Sequence, residues 1–423
     1  MLITLIAGAR PNFMKIAPLI KAIQAANAAG KDIHYRLVHT GQHYDKNMSD
    51  TFFEELGIPM PDVNLGCGGG TQAEQTANIM VAFERDLIAN PTDLVLVVGD
   101  VTSTMACSIV AKKLNTKVCH VEAGIRSWDL TMPEEINRMV TDALADYMFT
   151  TSEVANKNLL MQGASLEVKG ERLEAKGTEN GEADILASRL SPFAYRLPAL
   201  PEEQYAFKRT PQKVWYVGNV MIDTLLANRS RFRRPAAYNE LSLQEKNYVV
   251  MTMHRPANVD EEQHLKALME QIITNVHNLP IIFPIHPRTA KLFYNLWGNE
   301  EQLRSIFPNL HIVDPMGYLE FNYLVEHAKV VVTDSGGITE ETTVMGVPCI
   351  TLRDNTERPE TCTIGTNRLI GTNPNAIKPA LDILFAGQWQ QGAIPPLWDG
   401  HTAERIVEIL YAVFSERACG ATV

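Results

Sequence analysis

One stretch of the sequence is especially informative: Val331-Val332-Thr333-Asp334-Ser335-Gly336-Gly337-Ile338-Thr339-Glu340-Glu341. Its apolar, β-branched start predicts a buried strand, and a turn through Ser-Gly-Gly leads into a segment that begins like a helix. Such a helix start presents unpaired backbone N–H groups and the positive end of the helix dipole, which together suit a phosphate. We therefore predict a phosphate site at Ser335, Gly336 and Gly337, with the carboxylate pair Glu340 and Glu341 one turn further on facing neighbouring hydroxyls such as those of a ribose.

The pattern of apolar strand and amphipathic helix repeats along the chain in two series. The first series has strand-like runs at Leu2–Ala7, Tyr35–His39, Leu94–Val98, Lys117–Val121 and Tyr147–Thr151; the second has them at Val214–Val217, Tyr248–Met253, Ile281–Ile285, His311–Val313, Val330–Thr333 and Pro348–Leu352. Several runs are apolar at nearly every position, which is typical of parallel strands covered on both faces. We predict an α/β fold of two Rossmann-like domains that face across a cleft, with ligands at the carboxyl ends of the strands.

The predicted domains are residues 1–213 and 214–400, followed by a C-terminal segment, 401–423. A polar stretch at about 164–212 interrupts the first domain and is interpreted as an insertion, partly helical near Glu182–Leu190. A solvated surface excursion, an oligomer contact and a lid all remain open as its role.

Composition narrows the class of protein. The 423 residues suit two domains, and a net charge of −11 argues against general binding to nucleic acid or membrane surfaces. No apolar run reaches the roughly 20 residues that span a bilayer, and the apolar N-terminus resembles a first strand rather than a signal peptide. The six cysteines include no Cys-x-x-Cys pair, which predicts reduced thiols in the cytoplasm, and no cluster has the spacing of a zinc site.

Two cations follow the first strand, in Gly8–Lys15. Pro11 is suited to the first position of a helix, so Arg10 and Lys15 would lie near its positive end, where an anionic leaving group is stabilised. An ordinary strand–helix turn with two surface cations is the alternative.

Carboxylates follow two further strands. Asp100 ends one buried strand, as a catalytic acid or a helix N-cap. Glu122 ends the next, where a buried carboxylate is costly unless it is functional or paired, for example with Arg126 or Arg138.

A helix start beginning at Pro133 adds Glu134 and Glu135. One of the two is expected to support the helix dipole, which leaves a second role for the other.

Polar residues also end strands of the second series. His254 and His286 each stand next to or near an arginine, Arg255 and Arg288, which favours a polyanion site. Asn219 follows another strand. The charged loop after Pro348–Leu352, which contains Arg358, is either part of the site or a surface loop with internal ion pairs.

Together these segments resemble the non-hydrolysing UDP-N-acetylglucosamine 2-epimerases. The matching pieces run in family order over nearly the whole chain: Gly8–Lys15, Thr40–His43, Gly99–Thr104, His120–Gly124 with Arg126, Pro133–Arg138, Gly218-Asn219 with Asp223, His254-Arg255, Asp334–Glu341 and Glu357–Glu360. The resemblance implies a two-domain fold like that of the GT-B glycosyltransferases. It also implies a C-terminal helix, near Thr402–Ser415, that crosses back to the first domain.

The resemblance further implies reversible C2 epimerisation of UDP-N-acetylglucosamine to UDP-N-acetylmannosamine. Because no carbonyl acidifies C2–H, the family eliminates UDP to leave 2-acetamidoglucal, replaces the proton on the other face and adds UDP back. This chemistry needs acid/base groups on both faces and cations for the departing UDP. Since it is redox-neutral, no nicotinamide or metal cofactor is expected.

Carried over by position, Asp100, Glu122 and Glu134 would be the acid/base carboxylates, with the face that each serves left open. The diphosphate would be stabilised by Arg10, Lys15 and His254. The remaining substrate contacts would be Asn219, Arg255, His286, Ser335, Gly336, Gly337, Glu341 and Arg358, with a uracil pocket around Pro315–Phe321.

The sequence departs from the family in two respects: the insertion near 164–212 is unusual for it, and residues linked to activation differ. Some bacterial members are activated by a second UDP-N-acetylglucosamine, and carry a polar residue three after the Gln of Thr-Gly-Gln-His and an Arg further on. Here the first position is Asp45, and 66–75 contains no Arg. We predict that this activation is weak or absent.

Several alternatives stay open. One is a 2-epimerase of a modified sugar such as UDP-2,3-diacetamido-2,3-dideoxyglucuronate, whose carboxylate would pair with Arg255 or Arg288. The others are a hydrolysing 2-epimerase and a GT-B glycosyltransferase. A non-catalytic UDP-sugar sensor would not need three carboxylates. We expect a cytoplasmic homodimer in cell-surface polysaccharide biosynthesis, with a UDP-sugar as its substrate and no nucleic-acid or membrane partner.

Overall fold

The computed structural model describes residues 1–41, 55–162, 212–285 and 287–420. Two parallel sheets dominate it. The first has the strand order β3-β2-β1-β4-β5-β6-β7, from β1 (Leu2–Ala7), β2 (His34–His39), β3 (Val63–Asn64), β4 (Leu94–Val98), β5 (Lys117–Val121), β6 (Tyr147–Thr150) and β7 (Lys213–Tyr216). The second has the order β10-β9-β8-β11-β12-β13, from β8 (Val249–Thr252), β9 (Ile281–Pro284), β10 (Leu310–Val313), β11 (Val330–Thr333), β12 (Cys349–Thr351) and β13 (Asn367–Leu369).

Helices connect these strands. In chain order they are α1 (Arg10–Ala28), α2 (Gln72–Ala89), α3 (Thr102–Lys113), α4 (Pro133–Leu144), α5 (Glu153–Met161), α6 (Val220–Asn228), α7 (Ala236–Glu240), α8 (Pro256–Val259), α9 (Glu262–Asn275), α10 (Pro287–Trp297), α11 (Glu300–Ile306), α12 (Tyr318–His327), α13 (Gly336–Met345), α14 (Pro359–Thr363), α15 (Ile377–Phe385) and α16 (Thr402–Gly420). No helix in the described part of the chain is long and apolar enough to cross a membrane.

The strand order positions the site. In the first sheet, β2 and β3 are added on one side of β1, and β4 begins the series on its other side. In the second sheet, β9 and β10 lie on one side of β8, and β11 begins the series on the other. Ligands of such sheets bind outside the carboxyl ends of the strands at these switch points. Every side chain of β4 is buried, as is every one of β11, which explains their uniformly apolar or β-branched sequences.

The C-terminal helix returns to the first sheet, as the resemblance implied. Apolar residues of α16, including Ile406 and Leu410, join the core that also contains Ile16 of α1. The start of α16 is capped from α6, because the Asp223 carboxylate accepts backbone N–H bonds from Thr402 at 3.1 Å and Ala403 at 2.6 Å. Such a carboxylate satisfies backbone donors that the helix itself leaves unpaired.

Some expectations need correction. The run Val214–Val217, placed at the head of the second series, is observed as β7 and pairs with β6 in the first sheet, so that assignment was wrong. The short edge strands β3 and β13 were not predicted; with two and three residues, they carry too little pattern. Of the predicted insertion, only Gln212 lies within the described residues, where it is buried and donates to the carbonyls of Asp142 and Ala145.

Candidate active site

A cavity of 1190 Å³ lies between the carboxyl ends of the two sheets. Predicted site residues from both sheets line it: Lys15, Asp100, Glu122, Glu134, His254, Arg255, Ser335, Gly336, Gly337, Glu341 and Arg358. The segment Pro315–Phe321, predicted as the uracil pocket, contributes five further lining residues: Pro315, Met316, Gly317, Tyr318 and Phe321. The two strand-end clusters therefore face one common space.

Asp100 follows β4 and is held from α4. Arg138 donates to its Oδ2 from Nε at 3.0 Å and from a terminal nitrogen at 2.5 Å, and Asn137 donates to its backbone carbonyl at 2.8 Å. Burial opposes ionisation, but the nearby cations Arg138 and Lys15 outweigh it and lower the pKa of Asp100. With 31% of its side chain still exposed, Asp100 is an ionised carboxylate open to the cavity.

Glu122 follows β5 in a left-handed conformation, with φ of 70°. Its Oε2 lies 2.6 Å from Lys15 Nζ and 3.3 Å from a terminal nitrogen of Arg358, whereas its buried Oε1 has no hydrogen-bond partner. Burial disfavours the charge, yet Lys15 and Arg358 lower the pKa of Glu122. The partners proposed from the sequence, Arg126 and Arg138, pair with other carboxylates. An unusual backbone and an unpartnered oxygen at a cavity are features of functional carboxylates.

The two glutamates at the start of α4 have separate surroundings. Glu135 is fully buried and accepts bonds from Ser127, from the Trp128 N–H and from Arg138. Glu134 is exposed, lines the cavity and has no hydrogen bond or ion pair among the described residues. The expected division, with one structural glutamate and one free for another role, matches this geometry.

His254 is oriented by Asp334, a residue for which no role was predicted. The His254 Nδ1 lies 2.9 Å from Asp334 Oδ1, while Oδ2 accepts the backbone N–H groups of His254 and Arg255 and the amide of Asn258. The imidazole itself is 63% exposed. A carboxylate directly between an apolar strand and Ser-Gly-Gly was the available signal. Asp334 thus holds the strand ends of β8 and β11 together and directs His254 toward the cavity.

The Ser335 turn opens α13 as predicted. The Ser335 side chain does not cap the helix, so its hydroxyl does not bond to the first N–H groups of α13. These residues line the cavity. A Cβ built on Gly336 would come no closer than 3.7 Å to the protein, and the same distance applies to Gly337. The fold therefore leaves room for side chains here, and the glycines keep the helix start open to a ligand.

Two adjacent carboxylates on α13 are buried. Glu341 accepts a bond from the Tyr318 hydroxyl at 2.9 Å, and burial, with Glu340 nearby, raises its pKa to about 7. Glu340 is an ion-pair partner of Arg358 and accepts the Asn219 amide at 3.0 Å. The sequence pattern predicted the pair as contacts for neighbouring hydroxyls, and the family resemblance singled out Glu341.

Arg358 joins the two halves of the cleft. Its buried guanidinium contacts Glu340 of the second sheet and Glu122 of the first, with one terminal nitrogen left unpartnered. The same loop contains the expected internal ion pair, in which Arg353 donates twice to Glu357 at 2.8 and 2.7 Å. Burial opposes ionisation of Glu357, but the Arg353 bonds lower its pKa to about 2. This loop is a buried wall of the site rather than a surface excursion.

Some predicted contacts are not at the cavity. Asn219 is fully buried and is not part of the cavity lining; its side chain donates to Glu340 and caps α6 by accepting the Met221 N–H at 2.9 Å. Its role as a substrate contact stays a prediction. Arg10 begins α1, but its side chain is outside the described part of the structure, as are His286, the Arg288 side chain and Asp45. No group of His, Cys, Asp and Glu suited to a metal ion occurs among the described residues.

Comparison with known proteins agrees with the fold and with this arrangement. The family model described as UDP-N-acetylglucosamine 2-epimerase matches residues 25–168 and 202–411. The chain belongs to this family. The match to the UDP-N-acetylglucosamine 2-epimerase family begins after β1, and it covers strands β2 to β13 and every lining segment from β4 onward.

Named members of this family are similar to this chain over most of their length. The UDP-N-acetylglucosamine 2-epimerase of Methanocaldococcus jannaschii is 36% identical over 420 residues, which cover 97% of this chain and 99% of that protein. The crystal structure of that organism's UDP-GlcNAc 2-epimerase with UDP-GlcNAc and UDP superposes with a TM-score of 0.75 and 35% identity, covering 97% and 99% of the two chains. The UDP-2,3-diacetamido-2,3-dideoxy-D-glucuronate 2-epimerase of Pseudomonas aeruginosa is 34% identical over 88% of each protein. The predicted fold, two facing Rossmann-like domains of the GT-B type, is confirmed.

Proposed function

We propose that this protein catalyses the reversible C2 epimerisation of UDP-N-acetylglucosamine to UDP-N-acetylmannosamine. The observation that carries the proposal is that the carboxylates Asp100, Glu122 and Glu134 share one cavity with the Ser335 turn. Acid/base groups and a phosphate-binding helix start are the two requirements of an elimination that keeps its leaving group bound.

Because C2–H is only weakly acidic, elimination of UDP replaces direct deprotonation and reprotonation at C2. A carboxylate removes this proton, the C–H electrons form the C1=C2 bond of 2-acetamidoglucal, and the C1–O bond breaks with its electron pair on the β-phosphate of UDP. A second acid then protonates C2 from the opposite face while the phosphate oxygen re-forms its bond to C1. The elimination is anti, with the breaking C–H and C–O bonds antiperiplanar. Because the proton returns on the opposite face of C2 while UDP returns to its original face of C1, the re-addition is syn.

We assign proton transfer to Asp100, Glu122 and Glu134. The pKa of Asp100 and that of Glu122 are lowered, so both are ionised and ready to accept a proton near neutral pH. Glu122 also has a buried oxygen without a partner beside the cavity. Glu134 makes no hydrogen bond or ion pair with the other described residues, so its side chain can reorient toward the substrate.

We assign the diphosphate to the opposite side of the cleft and to nearby cations. Backbone N–H groups of Gly336 and Gly337 and the dipole of α13 suit its charge, and His254, Arg255 and Lys15 supply positive charge at the cavity. Arg10, at the start of α1, stays a predicted contact. Glu341 would accept ribose hydroxyls, and Arg358 would act through Glu122 as well as on the substrate.

Relatives support this choice of substrate. The similar M. jannaschii enzyme carries the name of this activity, and its structure contains UDP-GlcNAc and UDP. The P. aeruginosa relative acts on a diacetamido-glucuronate, which makes that sugar the natural control substrate.

Product analysis tests the proposal. Incubation with UDP-N-acetylglucosamine should yield UDP-N-acetylmannosamine, identified by the C2 signals in NMR, with no stoichiometric release of UDP. Free UDP with free N-acetylmannosamine would instead indicate a hydrolysing enzyme. Turnover of only the diacetamido-glucuronate would move the protein to the other substrate class.

We further propose a cytoplasmic homodimer that supplies cell-surface polysaccharide synthesis, with the two domains divided after β7. Exposed apolar side chains on α2, Val81 and Ile88, support an interface between copies, since such side chains are commonly covered in assemblies. Light scattering on the full chain should give twice the mass of one chain, and a monomeric mass would contradict the dimer.

A further inference from the structure

A buried polar cluster lies behind the carboxylates of the first sheet, outside the cavity lining. It contains His120 on β5, Asp142 on α4 and Arg126 in the turn after β5, whose side chains are 0%, 1% and 0% exposed. Buried charges are costly and are retained where they are paired and have a task. The proposed proton transfers use none of these three side chains.

Both ring nitrogens of His120 face acceptors. Nδ1 lies 2.6 Å from Asp142 Oδ1, and Nε2 lies 2.8 Å from the backbone carbonyl oxygen of Gly99. A carbonyl oxygen only accepts, and Asp142 accepts as well, because its pKa is lowered by His120 and Arg126 despite burial. Both nitrogens therefore donate. The ring ties β5 to the residue that directly precedes Asp100.

The second oxygen of Asp142 holds the turn that follows Glu122. Oδ2 accepts the Gly124 N–H at 3.0 Å and Arg126 at 2.5 Å. Gly124 has φ of 78°, and a Cβ there would come within 2.4 Å of the Ala155 carbonyl oxygen. A side chain at this position would therefore clash, and glycine is required.

Asp142 itself belongs to α4, the helix that carries Glu134 in its first turn and also supplies Asn137 and Arg138 to Asp100. One carboxylate thus connects the three segments that present Asp100, Glu122 and Glu134. These segments meet the substrate from different strands, and their relative positions depend on such cross-links.

We propose that His120 is a positioning residue for the epimerisation: its bond to the Gly99 carbonyl fixes Asp100 relative to Glu122, and Asp142 holds the ring in place for that bond. This role rests on the proposed function. It acts on the reacting geometry and leaves UDP binding, which we assign to the other side of the cleft, unaffected. Small displacements of a catalytic group are expensive, since about 1 Å can cost roughly a hundredfold in rate.

A pair of substitutions separates the two bonds of His120. In His120→Gln the amide nitrogen reaches the place of Nε2 and keeps the bond to Gly99. In His120→Asn it reaches the place of Nδ1 and keeps only the bond to Asp142. We expect kcat to fall roughly ten- to a hundredfold in His120→Asn and much less in His120→Gln, with KM and UDP affinity similar in both.

The outcomes are distinct. Equal kcat values for the two variants beside an active wild type, or losses that follow KM or the unfolding temperature, overturn the role of His120 alone. A wild type that leaves UDP-N-acetylglucosamine unchanged overturns the proposed function and this role with it. Should His120→Asn not fold, Asp142→Asn keeps the side-chain shape; it should lose kcat while retaining UDP affinity, and an unchanged kcat there would refute the proposal.

Discussion

The two sides of the cleft treat charge differently. At the first sheet, Asp100 and Glu122 stay ionised because Arg138 and Lys15 stand against them. At the second sheet, the Ser335 turn offers backbone donors, and burial raises the pKa of Glu341 to about 7. The difference indicates a division of labour in which charged acids move protons on one side and a helix start retains the leaving group on the other. Substitutions of the acids on the first side should therefore change kcat, and those at the Ser335 turn on the second should change binding.

The largest effect is expected from Asp100→Asn. The amide keeps the shape of the side chain but cannot accept the C2 proton, so kcat should fall by roughly 10²- to 10⁴-fold. UDP affinity, measured by calorimetry, should stay at the wild-type value because the nucleotide is assigned to the other sheet. Asp382→Asn, at a side chain that is 54% exposed, is the matched control. Full turnover in the Asp100 variant would remove its assigned role.

Arg358→Met tests the link between the two sides. It leaves Glu122 and Glu340 buried without their shared cation, so the free energy of unfolding should drop by about 3–5 kcal/mol in urea denaturation. Arg229→Met is the control, since the Arg229–Glu326 pair is 44% exposed on the arginine side and should contribute under about 1 kcal/mol. Similar losses in both variants would contradict the bridging role.

Gly336→Ala probes the binding side. The protein has room for the methyl group, with its nearest atom 3.7 Å away, so the unfolding temperature should not change. A methyl group at the helix start would disturb the backbone bonds to phosphate, each worth about 1.5–3 kcal/mol, and UDP affinity should fall by at least roughly tenfold. At saturating substrate, kcat should change little. Unchanged UDP affinity would show that phosphate does not approach this turn.

The smallest effect concerns pH. With a pKa of about 7 the Glu341 carboxyl ionises between pH 6 and 8, and only the ionised form accepts both ribose hydroxyls. Affinity for the UDP-sugar should thus rise with pH by up to about tenfold across this range and level off above it. The same titration of Glu341→Gln isolates this carboxyl from other groups. Equal pH dependence in both proteins would exclude Glu341 as the ribose contact.

Strand ends were the most predictable part of the site. The apolar runs before Asp100, Glu122 and Ser335 fixed their positions, because parallel strands place their carboxyl ends at one edge of a sheet. Pairing across the cleft was not predictable. Arg358 contacts Glu122 from 236 positions away in the chain, and no local pattern indicates which cation meets which acid.

Buried polar partners were also missed, for a different reason. Asn219 follows a strand, at a position where ligand contacts are common, but its side chain caps α6 and donates a hydrogen bond to Glu340. His120 and Asp142 look like ordinary residues of a strand and a helix until the fold brings them together at 2.6 Å. Position at a strand end identifies the neighbourhood of a site, whereas side-chain direction depends on packing.

Deuterium incorporation tests the central claim most directly. When wild-type protein epimerises UDP-N-acetylglucosamine in deuterated water, we predict that deuterium enters C2 of the product, because a carboxylate that exchanges with solvent returns the proton. Asp100→Asn should slow this incorporation and the epimerisation together. Epimerisation with the original C2 hydrogen retained would contradict elimination and re-addition in this cleft.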